Sequence, residues 1–166
     1  YPVSERRSTP TRVSPSLHTW GLMLAPSETG SSRQWVVRVA GEEGIVAARQ
    51  QARETARELG FGLVDQSRIA TAVSELTRNV VRYATDGQGD VLIRELEPSA
   101  KGVGIEVIVR DDGPGIANVE QALREGFSTG TGLGMGLPGT RRLMDEMAID
   151  SAPGRGTTVS IRKWRR

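Results

Sequence analysis

Apolar positions recur along this chain with periods that name its elements. From Gln34, Trp35, Val37 and Val39 alternate with Val36, Arg38 and Ala40, which predicts a strand with one buried face. Over 42–59, Ile45, Ala48, Ala52, Ala56 and Leu59 fall on one stripe, predicting an amphipathic helix that Gly60 closes. A second helix is expected from an Asp65 cap to about residue 84, with Val64 and Ile69 placed to staple its start. Its apolar stripe is Ile69, Val73, Leu76, Val80 and Tyr83, a narrow arc at about 100° per residue. Strands are predicted over 90–96 and 103–110, the latter nearly apolar on both faces.

Asn118 can cap a short helix reaching about residue 124, and 126–136 is too rich in glycine to be regular. Pro138 suits the first turn of a further helix carrying Leu137, Leu143, Met144 and Met147. Strands over 148–152 and 157–164 flank Pro153-Gly154-Arg155-Gly156, which reads as a tight turn. Hairpin connections outnumber crossovers. The expected fold class is therefore α+β: a two-layer sandwich with helices on one face of a mixed, mainly antiparallel sheet.

Residues 1–32 break this order. They carry Pro2, Pro10, Pro15 and Pro26, several Ser and Thr, and no sustained period, so an irregular, largely disordered extension is expected ahead of a domain spanning 33–166. Leu17, Trp20, Leu22, Met23 and Leu24 could dock on something, and a start at Tyr1 rather than Met reads as an excised or processed piece.

Composition narrows the chemistry mainly by exclusion. A length of 166 residues fits one domain with a real core. No run of about 18 apolar residues occurs, so no membrane insertion is expected, and the start lacks a basic-then-apolar signal pattern, which points to the cytoplasm. There is no cysteine and a single histidine, His18, which removes disulfides, thiolate metal sites, His-based triads and multi-His centres. Net charge is +2, and the one cationic run, Arg162-Lys163-Trp164-Arg165-Arg166, reads as a solvated strand end rather than a nucleic-acid surface.

Three places can carry chemistry. Glu75 and Asn79 are one turn apart on the second helix, about 40° from each other on its wheel, beside the apolar stripe rather than opposite it. Taken alone, they fit a solvated Glu and an Asn bonding a loop carbonyl. Asp111 ends a strand and enters Gly113-Pro114-Gly115, where a carboxylate can accept from an exocyclic amine and Gly115 lets the backbone approach a flat base; Asp112 fits a solvated turn residue. Gly132, Gly134 and Gly136 precede a helix, whose free N–H groups can take phosphate oxygens, although such a loop is often a plain connector. Gly154-Arg155-Gly156-Thr157 reads first as a hairpin, with the Thr157 hydroxyl in reach of a base. The lysines are Lys101 and Lys163, and no Gly-x-x-x-x-Gly-Lys-Ser/Thr occurs, which excludes a P-loop enzyme and a eukaryotic-type kinase.

Taken in order, Glu75 with Asn79, Asp111-x-Gly-x-Gly115, Gly132-x-Gly-x-Gly136-Leu137 and Gly154-x-Gly-Thr157 resemble the boxes of the Bergerat-fold (GHKL) ATPases. Within them the chain is most similar to the RsbT-type stressosome serine/threonine kinases of bacterial partner switching. The residues that carry this are 45–50, 58–62, 72–76, 126–129 and 136–146, and the likeness covers about 35–164. Met135 is bulkier than the small residue expected inside the phosphate loop.

The resemblance implies ATP and Mg²⁺ as cofactors, Glu75 as general base on the incoming hydroxyl, and Asn79 as the metal ligand. It implies that Asp111 reads the adenine amine with help from Thr157, and that Gly113 to about residue 134 forms a lid. Nucleotide contacts would come from Asn79, Asp111, Gly113, Gly115, Ile116, Ser128, Thr129, Gly132, Leu133, Gly134, Met135, Gly136, Leu137 and Thr157. It further implies phosphorylation of STAS-domain antagonist or scaffold proteins and, on release, activation of a PP2C-type phosphatase. An alternative is an anti-sigma factor kinase of the RsbW or SpoIIAB type that binds a sigma factor directly. A binding module without catalysis fits poorly with intact Glu75, Asn79 and Asp111, and a histidine kinase fragment lacks a phospho-acceptor helix. Phosphoryl transfer is mostly positioning and charge neutralisation, which these residue types can supply.

Overall fold

A computed structural model describes residues 32–124 and 136–166. The expected extension over 1–32, Ser32 apart, and His18 within it lie outside the described residues, as does most of the glycine-rich stretch.

Strand β1 (Gln34–Ala40) keeps the predicted alternation, with Trp35, Val37 and Val39 inward. Helix α1 (Glu42–Glu58) follows and ends in a paired cap: the Gly60 N–H donates to Arg57 O and the Phe61 N–H to Ala56 O, both at 3.0 Å. That closure buries Phe61, and the chain starts helix α2 (Leu63–Tyr83) two residues later. Asp65 is therefore not the cap. It lies in the first turn, where Arg68 and Lys163 meet it, and Gly62 holds the cap position. The Val64–Ile69 staple does not form either, because Val64 is 65% exposed while Ile69 is buried.

A single 3-10 turn (Thr85–Gly87) leads into β2 (Gln88–Ser99) and β3 (Gly102–Asp111). The Asn118 side chain caps the short helix α3 (Val119–Ala122), accepting from the Gln121 N–H at 2.9 Å. Helix α4 (Gly136–Leu143) precedes β4 (Glu146–Ser151) and β5 (Thr157–Trp164). The helix is thus shorter than expected. Met144 follows its end, and Met147 belongs to β4, where it pairs with Ile161.

The sheet order is β1-β2-β3-β5-β4 and every pairing is antiparallel. α1 and α2 pack on one face, so the α+β sandwich holds, with a wholly antiparallel sheet. Ile69, Val73, Leu76 and Val80 of α2 meet Val91, Ile93, Val107, Val109, Val159 and Ile161 in one core. Each such side chain contributes about 1.5–3 kcal/mol by burial. Tyr83 leaves the stripe: at 44% exposed it has run past the sheet, with Arg82 over its ring. Buried hydroxyls on α2 bond back along the helix, Ser74 to Ala70 O and Thr77 to Val73 O.

Two other expectations change. β3 is not apolar on both faces: Glu106 is 1% exposed on the face away from the helices, where Arg94 Nε (2.5 Å), Arg162 Nε (2.7 Å) and Ser160 Oγ (3.0 Å) donate to it. Burial alone would push this carboxyl up. The two guanidiniums more than offset that and hold it below the usual carboxylate range. The basic end is solvated only in part: Arg165 and Arg166 are exposed, but Lys163 is not. Lys163, 5% exposed, donates to Leu143 O at 3.0 Å and stands 3.6 Å from both Asp65 and Asp145, while Arg165 donates to Leu59 O. Among the described residues no helix is long and apolar enough to cross a membrane.

Candidate functional site

Helix α2 presents Glu75 and Asn79 one turn apart near the edge of its buried stripe. Glu75 is 7% exposed, and its Oε1 accepts from Arg78 Nη1 at 3.0 Å; Asn79 is half-buried. The end of this helix is fixed against the next piece of the site. A Cβ on Gly113 would stand 2.9 Å from Ala84 Cα and 3.0 Å from Tyr83 O, and Thr85 Oγ1 donates to Asp112 O at 3.1 Å. The turn that follows β3 therefore sits on the last turn of the helix that carries the acid and the amide.

Asp111 is half-buried at the end of β3. Its Oδ1 accepts from the Gly113 N–H at 2.7 Å, which shapes the turn and leaves the second oxygen for another donor. Burial pushes its carboxyl above the ordinary value. The Gly113 N–H pulls the other way, and the Asp112 charge adds to the rise. Among the described residues no cation pairs with it, so a neutral N–H donor from a ligand would meet a carboxylate that lacks compensation there.

The sheet register places Asp111 beside Thr157, and Thr157 beside Ser151. Ser151 was not picked out from the sequence. Its Oγ accepts from the Ile116 N–H at 2.8 Å, donates to Gly156 O at 2.9 Å, and lies 2.9 Å from Thr157 Oγ1. Glycine is required at two neighbouring positions. Gly115 (φ 77°) and Gly156 (φ 74°) are left-handed, and a Cβ on either would collide with a backbone carbonyl, Ala152 O and Asp111 O respectively. The need for Gly115 thus comes first from loop packing.

Gly136 and Leu137 open α4, which packs against α2; Leu137 joins the core, and buried Thr140 donates to Gly136 O at 3.0 Å. The structure so gathers Asp111, Gly113, Gly115, Ile116 and Thr157 in one corner. α2, with Glu75 and Asn79, abuts that corner at its end and α4 along its side. Ser128, Thr129, Gly132, Leu133, Gly134 and Met135 lie outside the described residues.

An acid and an amide on one helix, a carboxylate in the strand-end turn packed on that helix, and a second helix opened by glycine thus adjoin one another in this fold. Residues 64–166 match the model of the histidine kinase-, DNA gyrase B- and HSP90-like ATPases, and the chain belongs to that family. It is 49% identical over 133 residues to the serine/threonine-protein kinase RsbT of Bacillus subtilis (strain 168), covering 80% of this chain and 98% of that protein. An anti-sigma F factor of Bacillus licheniformis is 38% identical over 101 residues, 57% of this chain and 66% of that one. The RsbU and RsbW domains of a Mycobacterium tuberculosis protein share the fold, with a TM-score of 0.54 and 23% identity, over 81% of this chain and 32% of theirs. The chain is accordingly an ATP-binding protein serine/threonine kinase.

Proposed function

We propose that this kinase works in a bacterial partner-switching pathway of the stressosome type, in the cytoplasm. It would phosphorylate serine or threonine on STAS-domain antagonist or scaffold proteins and, once released, bind and activate a PP2C-type phosphatase. The kinase domain is residues 33–166, preceded by an extension over 1–32. The observation that carries this reading is the 49% identity to RsbT over nearly the whole of that protein; the packing of the Asp111–Gly113 turn on the end of the helix that bears Glu75 and Asn79 supports a shared site for those residues.

The residues present suit ATP with Mg²⁺. Among the described residues no group of three or more carboxylate, imidazole or thiol side chains could hold a metal on its own. A cation here would rest on the Asn79 side-chain oxygen, which adds no charge beside the phosphates. When bound, the nucleotide and its metal supply the phosphoryl group and neutralise its charge. Asp111 and Thr157 would hold the base, with Gly113, Gly115 and Ile116 beside it, and the helix opened by Gly136 and Leu137 would take phosphate together with Ser128, Thr129, Gly132, Leu133, Gly134 and Met135. Glu75, one turn from Asn79, orients the substrate hydroxyl and takes its proton. Arg78 must then yield Glu75 Oε1, or share it, at the moment of transfer.

The test is labelled ATP–Mg²⁺ incubated with STAS-domain proteins from the same genome. Asn79→Ala should abolish transfer by losing the metal. Glu75→Ala should keep ATP binding and lose about 10²–10⁴-fold in turnover; transfer at the wild-type rate would refute the base assignment. A second reading is favoured by the anti-sigma F factor relatives: direct binding of a sigma factor. Capture of sigma factor but not phosphatase in a pull-down would decide for it.

A further inference from the structure

One transverse row of the sheet, on the side of the helices, runs Gly89, Asp111, Thr157, Ser151. The last of these has a hydrogen-bond count that closes. A serine hydroxyl holds one proton and two lone pairs. The Ile116 N–H can only donate to it, and the Gly156 carbonyl can only accept from it. The proton of Ser151 therefore goes to Gly156 O and one lone pair to Ile116. The third contact, to Thr157 Oγ1, is then a hydrogen bond only if Thr157 is the donor. So the Thr157 proton is turned toward β4, and what this hydroxyl offers a ligand is lone pairs. Asp111, beside it, has Oδ1 committed to the Gly113 N–H and offers only acceptor oxygen when ionised. The side chains of this row present acceptors and no donor.

We propose that Ser151 is a positioning residue that sets the polarity of Thr157, so that the site selects a purine with an exocyclic amine at position 6 over one with a carbonyl there. The inference rests on the proposed reading of Asp111 and Thr157 as the base-facing pair. A role for Ser151 in loop docking alone is separable. The Gly154 N–H still bonds Pro114 O at 2.8 Å, and the backbone contact at Gly115 does not involve Ser151.

The experiment is calorimetric titration of the full chain with ATP and with inosine triphosphate, which carries a carbonyl in place of the amine at position 6 and, with it, a proton on N1. Variants are Ser151→Ala, Thr157→Val, the double variant and Ser151→Thr. Freed from Ser151, the Thr157 hydroxyl can rotate and donate to a 6-carbonyl. Ser151→Ala should therefore lower the ATP-to-inosine-triphosphate affinity ratio by about three- to tenfold, the worth of one neutral hydrogen bond. Ser151→Thr should restore the ratio. In the Thr157→Val background Ser151→Ala should leave it unchanged, and this cycle decides if Ser151→Thr does not fold. Equal weakening of both nucleotides by Ser151→Ala, or an unchanged ratio, overturns the proposal. Wild-type protein that binds neither nucleotide would instead overturn the base-facing reading on which it stands.

Discussion

Strand β3 carries two carboxylates on opposite faces, one buried and one half-buried, and they are treated in opposite ways. Glu106 is clamped by Arg94 and Arg162 and topped by the Ser160 hydroxyl, and is held below the usual range. Asp111, at the end of the same strand, has one backbone N–H and, among the described residues, no cation, and is pushed above it. The first is a closed arrangement that needs nothing further. The second is left wanting a donor, and it is the one proposed to read the base. A fold that can clamp a buried acid with two arginines leaves one uncompensated where a ligand amine can complete it.

The sharpest way to break this contrast is Asp111→Asn. The amide keeps the turn but cannot offer a charged acceptor. ATP affinity should fall about 10- to 150-fold, corresponding to about 1.5–3 kcal/mol for a hydrogen bond to a charged group. Thermal unfolding of the ligand-free protein should meanwhile shift upward at neutral pH. Unchanged nucleotide affinity would refute the base-reading role.

Glu106→Gln should behave in reverse. It removes the charge that holds Arg94 and one of the two that hold Arg162, which keeps Glu146 at 3.5 Å; both guanidiniums are partly solvated, so the loss should be about 1–3 kcal/mol in chemical denaturation, less than for a fully buried pair. Its nucleotide affinity should stay within about twofold of wild type; a larger change would mean that the far face of the sheet reaches the site.

The smallest effect is the pH dependence, and the two acids should differ in sign. The folded pKa of Glu106 is lowered. Its contribution is present above the ordinary carboxylate value and is lost as pH falls through the lowered one, so the Glu106→Gln deficit should shrink in acid. The folded pKa of Asp111 is raised. Ionised, it opposes folding, so the gain from Asp111→Asn should exist at neutral pH and vanish below the ordinary carboxylate value. The advantage of wild type over Asp111→Asn in ATP binding should likewise narrow as pH falls through the raised pKa. Stability profiles with the same sign would undo the comparison.

What the sequence made legible was local. The stripe of α2 placed Glu75 and Asn79, and Asp111-x-Gly-x-Gly115 placed a strand-end turn, because helix period and turn chemistry act over a few residues. The α+β class followed from the hairpins. Ser151 was hidden by register. A turn confined to 153–156 would set Thr157 opposite Ala152, whereas the hairpin pairs Thr157 with Ser151, and its loop runs through two left-handed glycines, Gly154 and Gly156. Glu106 was hidden because its partners are set by strand register: Arg94 across the β2–β3 hairpin, and Ser160 and Arg162 on β5, far away along the chain. Asp65 was misplaced because the cap of α1 buries Phe61 and so starts α2 early, a decision made by the preceding helix.

Chain ends commonly fray first. Here Lys163, near the end of the last strand, grips the final carbonyl of α4 and stands against acids at the start of α2 and after α4. The tail thus works as a rivet, and amide protons of β5 should persist in heavy water about as long as those at the centre of the sheet. Loosening that rivet would release the start of α2 and the end of α4 together.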